Sequence, residues 1–313
     1  MLDSFIFSLN STVPVFLVIL FGMLLRKLGV FTEDFASMTD RFVFRVALPI
    51  LLFKDISGMD FRRDFDFGFV ALCASVSLVM FLLAWGIGAI FIKEKRSVGS
   101  FAQGSARGSA AILGVALVEN IYGSSGLAPM MIFAVVPLFN IMSVIMLSFS
   151  DEESEKPSAA VMLKRIVTNP IIIGALAGVP FSVLGITFPA VISGAIRSVA
   201  STATPMALLA IGASFSFAAA KTKLKPAVFA AAIKLLLLPA LFLPVAAFFG
   251  FRDSALVSFF VMLGAPTTVT AYIMSKNMNG DHVLSSNIIM ISTLASSATI
   301  TFWVFLMRML GLI

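Results

Sequence analysis

Two runs of small and polar residues interrupt otherwise apolar segments of the chain. They cover residues 103–114 and 264–272, and Gly108 and Gly264 lie 156 positions apart. Gly and Pro weaken a helix, and backbone groups freed in hydrocarbon are costly unless they line a cavity. The N-terminus of a half-helix carries partial positive charge, which favours an anion. The pattern therefore predicts an anion site where two broken helices cross near the middle of a membrane.

The candidate residues for this site lie in and beside the two runs. Close packing of unbroken helices through small residues explains either run alone, but the shared offset favours a break in each. The candidate helix breaks are Gly108, Gly114, Gly264 and Pro266. The candidate substrate-binding residues are Arg107, Ser109, Ala110, Asn140, Ala265, Pro266, Thr267, Thr268 and Tyr272. Arg107 either attracts a substrate carboxylate or holds the fold, and Asn140 either lines the site or bonds between helices.

The composition places these runs in a membrane protein. Apolar residues make up 59% of the 313-residue chain and charged residues only 12%, about half the usual soluble share of roughly 25%. Ten segments approach the roughly 20 apolar residues that a spanning helix needs. These predicted spans are residues 6–25, 34–54, 67–92, 99–120, 127–149, 161–183, 189–217, 226–249, 254–275 and 284–311.

The second half of the chain repeats the first. Residues 12–52 match residues 168–208 without gaps at 12 of 41 positions. Each copy has five spans, so the second copy must enter the membrane from the opposite side. The expected fold is an all-α membrane protein with a 5+5 inverted repeat and broken, crossing helices four and nine. The repeats are residues 1–149 and 161–313, joined by a linker at 150–160.

Basic residues predict the orientation of the spans. The odd-numbered loops hold 12 Lys or Arg against 5 on the other side, and such loops face the cytoplasm. We therefore expect a plasma-membrane protein with both termini outside and the 150–160 linker cytoplasmic. The charged residues within the spans are Asp40, Arg41, Arg45, Arg107, Arg197 and Lys234.

Most of these charges have a structural interpretation. Arg41 and Arg197 are equivalent in the two copies, as are Pro49 and Pro205, and we interpret both pairs as scaffold features. Pairing with Asp40 or snorkelling explains the arginines, and snorkelling explains Lys234. No Asp or Glu lies near the middle of a predicted span, which argues against cation transport.

Several motifs together resemble the auxin efflux carrier family, in a bacterial branch similar to malate and malonate carriers. They are Arg107-Gly108-Ser109 with Leu113-Gly114, Pro137-Leu138-Phe139-Asn140, Asn169-Pro170, Thr204-Pro205-Met206-Ala207-Leu208, Ala265-Pro266-Thr267-Thr268-Val269 and Met278-Asn279-Gly280-Asp281. The resemblance implies a scaffold of helices 1, 2, 6 and 7, which often forms a homodimer, and a transport domain of helices 3–5 and 8–10. Ser109 departs from the Asn that many members carry, and helix four lacks their Pro.

These observations predict a secondary transporter of small organic anions, either dicarboxylates or auxin-like carboxylates, that works by alternating access. A channel-like or uncoupled facilitator and a non-transporting membrane sensor are the alternatives. The chain has one Cys and one His, so a Cys/His zinc cluster is excluded. It has no phosphate-binding G-x-x-x-x-G-K-S/T loop. We expect no enzyme activity, no cofactor and no nucleic-acid partner; the partners are the substrate anion and the lipid bilayer.

Overall fold

The computed structural model describes residues 2–58, 66–151 and 158–313, and their regular structure is helical. Residues 152–157 of the predicted linker lie outside this part. A π-helical turn, Val43–Ala47, joins α2 to α3. The helices of the first half are α1 Leu2–Lys27, α2 Glu33–Phe42, α3 Leu48–Ser57, α4 Phe67–Phe91, α5 Lys95–Ala106, α6 Ala110–Tyr122 and α7 Ala128–Ser150.

The second half also combines long helices with interrupted ones. A second π-helical turn, Ile233–Leu237, joins α12 to α13, and α8 and α9 meet at a bend of 65°. The helices are α8 Ala159–Val167, α9 Pro170–Leu184, α10 Ala190–Ser214, α11 Phe217–Thr222, α12 Leu224–Ala232, α13 Leu238–Phe248, α14 Asp253–Gly264, α15 Val269–Asn277 and α16 His282–Met309.

Six helical segments of the described chain are long and apolar enough to cross a membrane, or seven if the bent α8–α9 pair counts as one span. They are Phe67–Phe91, Ala128–Ser150, Ala190–Ser214, Leu224–Phe248, Asp253–Asn277 and His282–Met309. The all-α class expected from the sequence is therefore confirmed. A π-helical turn interrupts Leu224–Phe248, and a non-helical stretch interrupts Asp253–Asn277.

Local sequence explains where the helices begin and end, and α9 shows this well. The side chain of Asn169 accepts a hydrogen bond from the Ile171 amide at 2.9 Å, which satisfies a donor that has no partner within the helix. Pro170 occupies the first turn, where its missing N–H costs nothing. Gly185 ends the helix with a positive φ of 67°, which Gly adopts without strain.

Glycines bring the backbones of one group of helices close together. A Cβ atom on Gly22 of α1 would collide with the carbonyl of Leu209 in α10. A Cβ atom on Gly178 of α9 would lie 2.9 Å from the carbonyl oxygen of Phe53 in α3. The offset of 156 residues relates Gly22 to Gly178 and Phe53 to Leu209. The α1–α10 and α3–α9 contacts thus use residues that this sequence offset relates, and α10 also packs on α3 to complete the group.

The remaining long helices pack into a second group. Here α4, α5 and α7 contact one another, α12 packs on α16, and α14 packs on α6 and α7. Large side chains such as Phe101, Phe259 and Phe260 are buried in it. Both interrupted helices, α5–α6 and α14–α15, belong to this group. The backbone groups that lose their helical partners at the interruptions therefore lie inside the protein.

Candidate functional site

Two helices are interrupted, and the interruptions touch. One helix ends at Ala106 and restarts at Ala110, and another ends at Gly264 and restarts at Val269. The Ser109 amide donates to the Pro266 carbonyl at 2.9 Å. Gly108 lies in the first interruption, and Gly264 and Pro266 lie at the second.

Gly114 is the one candidate break that the structure places inside a helix. It lies in α6, which has already restarted at Ala110 and continues to Tyr122. A glycine in a helix costs only about 1 kcal/mol relative to alanine, so Gly114 alone does not end it. The prediction of a break at Gly114 is therefore corrected.

Side chains satisfy the backbone groups that the interruptions release. The Thr267 hydroxyl donates to the Gly104 carbonyl at 2.7 Å, and the Thr267 amide donates to the Ser292 hydroxyl at 3.1 Å. These bonds replace the missing helical partners and link the second interruption to α5 and to α16. A buried backbone group without a partner costs about 1–3 kcal/mol, so the pairing stabilises the non-helical segments.

A cavity of about 300 Å³ lies beside the interruptions, at the lower end of the range for ligand pockets. Arg107–Ala110 and Pro266–Thr270 form one wall, and residues of α1, α3 and α10 contribute to the other. The N-termini of α6 and α15 both face the cavity, and neither has a side-chain cap. The first N–H groups of both helices carry partial positive charge and have no partner four residues earlier in the helix, although the Ala271 amide of α15 donates to the Thr268 carbonyl.

Arg107 lines the cavity, and the side chains that its guanidinium contacts are neutral. Its side chain is buried, with 4% of the residue exposed. Nε donates to the Thr268 hydroxyl at 3.0 Å, and Nη2 donates to the Asn140 side-chain oxygen at 2.9 Å. Nη1 makes weaker contacts, to the Ser143 hydroxyl at 3.4 Å and to the Met274 sulfur at 3.2 Å. Within the described part of the chain, no carboxylate forms an ion pair with Arg107.

Asn140 positions the Arg107 guanidinium by accepting a hydrogen bond from Nη2. Its amide nitrogen donates to the Val136 carbonyl at 2.8 Å, which directs its oxygen toward the guanidinium. Asn140 is fully buried in α7, whereas Arg107, Ser109, Ala110, Pro266, Thr267 and Thr268 line the cavity. Asn140 therefore acts on the cavity through Arg107. Ala265 is buried in the second interruption.

Tyr272 lies in a different cluster. Its hydroxyl accepts a hydrogen bond from Lys276 at 3.1 Å, and Lys276 forms an ion pair with the buried Asp40. This pair joins α15 of the second group to α2, which packs on α10 of the first group. Asp40 is paired with Lys276, not with its neighbour Arg41 as one sequence interpretation had it, and Arg41 is exposed.

The other scaffold residues have ordinary surroundings. Arg197, like Arg41, is exposed. Pro49 lies in the first turn of α3, and its backbone leaves no room for a side chain at Gly174 of α9. Pro205 lies inside α10.

Sequence reasoning misinterpreted one charged residue near the cavity, Lys234, and missed another, Asp55. Lys234 does not snorkel: it is fully buried, and its ammonium contacts the ends of the interrupted helices. Asp55 lines the cavity from α3 and pairs with Lys54 at 3.0 Å. The predicted span ended at residue 54, just before Asp55. In the structure α3 continues to Ser57, so the Asp55 carboxylate lies inside the helix.

A charged network joins α5, α12 and α16 at one end of the second group. Lys223 pairs with Asp281 at 2.8 Å and also with Glu94, and Asp281 caps α16 through the Leu284 amide. Burial of Asp281 raises its pKa, but the hydrogen bonds from Lys223 and Ser97 outweigh burial, and the net pKa lies below its usual value. Asp281 therefore stays ionised at neutral pH and holds the network together.

An all-helical chain with several membrane-crossing helices, two interrupted helices in contact and a cavity between helix groups has the architecture of a membrane transport protein. The chain belongs to the membrane transport protein family, whose model matches residues 7–304. This confirms the auxin efflux carrier resemblance found in the sequence. It also establishes a multi-pass membrane protein of the transporter class.

Two relatives cover nearly the whole chain. An "Uncharacterized transporter" of Methanothermobacter thermautotrophicus is 23% identical over 306 residues, which cover 96% of this chain and 98% of the relative. A "Putative malonate transporter" of Rhizobium meliloti is 25% identical over 309 residues, or 94% of each chain. Both names indicate a transporter rather than an enzyme.

Proposed function

We propose that this protein is a secondary carrier of small organic anions and that the cavity beside the interrupted helices binds the substrate carboxylate. One observation carries the proposal. A buried arginine whose described partners are all neutral faces the same cavity as two uncapped helix N-termini. A buried charge is costly unless it is paired. A carboxylate in the cavity supplies that pair and accepts hydrogen bonds from the helix ends.

The remaining walls of the cavity suit a small acid with an apolar body. Leu48, Leu52 and Phe139 contribute apolar surface, and Thr204 and Thr293 contribute hydroxyls. Apolar walls with a few convergent polar groups are typical of small-molecule sites. The name of the Rhizobium meliloti relative agrees with a dicarboxylate, and a monocarboxylate with an aromatic or aliphatic body fits the same chemistry.

The division into two groups of helices suggests how the site would open to one side of the membrane and then to the other. We propose ten spans in a 5+5 inverted repeat, with helices α5–α6 and α14–α15 crossing at the cavity. The group of α1, α3, α9 and α10 would be the scaffold, against which the second group moves. The equivalent Gly22–Leu209 and Gly178–Phe53 contacts support this symmetry. Both termini would lie outside, the 150–160 linker would be cytoplasmic, and the scaffold would offer the surface for a homodimer in the bilayer.

Ligand-induced stabilisation of the purified protein tests the proposed substrate class. A ligand that binds only the folded state raises the unfolding temperature. We expect malonate, malate or an aromatic acid to raise it in a saturable way, and malonamide, which has malonate's shape without its charge, to have no effect. No shift with any of these acids, or equal shifts with acid and amide, would contradict the proposal. Uptake of the best acid into proteoliposomes then tests transport itself.

A further inference from the structure

A lysine lies where the C-terminal ends of both interrupted helices meet. Lys234 is fully buried, and its Nζ donates to the carbonyl oxygens of Ala106 at 2.9 Å and Met262 at 2.8 Å. Ala106 ends α5, and Met262 lies in the last turn of α14. Carbonyls in the last turn lack helical partners and carry partial negative charge. The ammonium therefore bridges the negative ends of two helices whose continuations direct positive ends at the cavity.

Three separate features hold the ammonium in this place. Lys234 belongs to the π-helical turn Ile233–Leu237, and such turns are frequent at functional sites. The Trp303 indole donates to the Leu235 carbonyl in the same turn at 2.9 Å. Gly108 leaves the necessary space, because a Cβ atom there would lie 2.9 Å from Nζ and 3.2 Å from the Met262 carbonyl oxygen. Any larger residue at position 108 would displace the ammonium.

The acceptors of the ammonium are of the kind that also bind a metal cation. Both acceptors are backbone carbonyls, and in the described ranges no Asp or Glu pairs with Lys234. Carriers with broken helices coordinate Na⁺ through unwound carbonyls and the C-terminal ends of half-helices. Without the ammonium, both carbonyls would lie in an apolar interior without a partner, which is costly unless another cation or a water takes its place.

We infer that Lys234 is a covalently held cation that fills a monovalent-cation site, so that this carrier moves its anion without a metal cation at that position. The statement about transport rests on the proposed function. The statement about the cation site rests only on the geometry around Lys234, and it can be tested without any transported substrate.

Removal of the ammonium should expose the site to ions from solution. Three variants are compared with the unmodified protein by thermal unfolding in NaCl, KCl, LiCl and choline chloride at constant ionic strength. Lys234→Ala empties the site, Lys234→Met fills it with an uncharged chain of similar length, and Lys221→Ala removes an exposed lysine as the matched control. We expect Lys234→Ala to gain saturable stabilisation by at least one metal cation over choline. A dissociation constant of about 1 mM would give a shift of about 5 °C at 100 mM cation.

The unmodified protein, Lys221→Ala and Lys234→Met should unfold at the same temperature in each salt as in choline. The inference is overturned if Lys234→Ala responds to none of the cations, or if the unmodified protein itself shows a saturable response. If Lys234→Ala does not fold, two measurements on the unmodified protein still test the inference: its unfolding temperature in each salt, and its anion uptake without Na⁺. Anion uptake should keep its rate when choline replaces Na⁺ on both sides, and a loss of uptake would refute Na⁺ independence. Failure to find any transported anion would leave the result of the unfolding comparison intact.

Discussion

Replacement of Arg107 by methionine should weaken carboxylate binding by roughly 100-fold. The guanidinium has five N–H donors. The structure commits two of them to good acceptors, Thr268 and Asn140, and directs others to the distant Ser143 hydroxyl and the Met274 sulfur. One Nη2 donor has no described partner, and a substrate carboxylate would replace the weak 3.4 Å contact of Nη1 to the Ser143 hydroxyl, so two donors are counted for the substrate. A hydrogen bond to a charged group contributes about 1.5–3 kcal/mol, so two at the lower end give about 3 kcal/mol, where 1.4 kcal/mol is tenfold.

The same substitution should lower stability for a different reason. Arg107→Met leaves the buried Asn140 oxygen without its donor, which costs about 1–3 kcal/mol. A double variant that also carries Asn140→Leu removes the stranded acceptor and should recover part of this loss without recovering affinity. Arg107→Lys keeps the charge but loses the planar fork, so we expect intermediate affinity.

Titration calorimetry with the acid that stabilises the protein best measures these affinities directly, and unfolding temperatures without ligand report stability. Arg197→Met is the matched control, because Arg197 is exposed and should affect neither quantity. An unchanged dissociation constant in folded Arg107→Met would return Arg107 to a purely structural role and refute this account of the cavity.

Three further predictions concern symmetry, the ion pair between helix groups, and mechanism. Gly22→Ala and Gly178→Ala should each destabilise the protein by about 1–3 kcal/mol through overpacking, whereas Gly194→Ala, with open space around it, should not; an unchanged stability in either of the first two variants would contradict the close contact at that glycine. Asp40→Asn should strand the Lys276 ammonium and lower the unfolding temperature, and addition of Lys276→Met should recover part of it; additive losses would show that the pair is not coupled. Labelled anion uptake should saturate and accelerate with unlabelled anion inside the vesicles, whereas linear, unsaturated flux would indicate a channel.

The interruptions were predictable from the sequence because their causes are local. Gly108 and Pro266 weaken a helix wherever they occur, and the offset of 156 residues between Gly108 and Gly264 distinguished the two runs from ordinary small-residue packing. Gly114 shows the limit of this reasoning. A single glycine with helix-forming neighbours costs too little to end α6, and only the position of the restart at Ala110 showed this.

The positions of the long charged side chains were not predictable in the same way. Lys234 lies near a helix end, where snorkelling is an ordinary interpretation. The direction in which its side chain points depends on the π-helical turn and on the positions of the C-terminal ends of α5 and α14. The pairing of Asp40 with Lys276 likewise joins residues more than 230 positions apart. Such contacts follow from the packing of the two helix groups, and hydrophobic periodicity carries no information about them.

The most direct test is a structure of the protein determined with the best-stabilising acid at saturating concentration. The account predicts density for the anion in the cavity, with its carboxylate in contact with the Arg107 guanidinium and with backbone amides at the N-termini of α6 and α15. An anion bound elsewhere, or an empty cavity under conditions where calorimetry shows full binding, would contradict it.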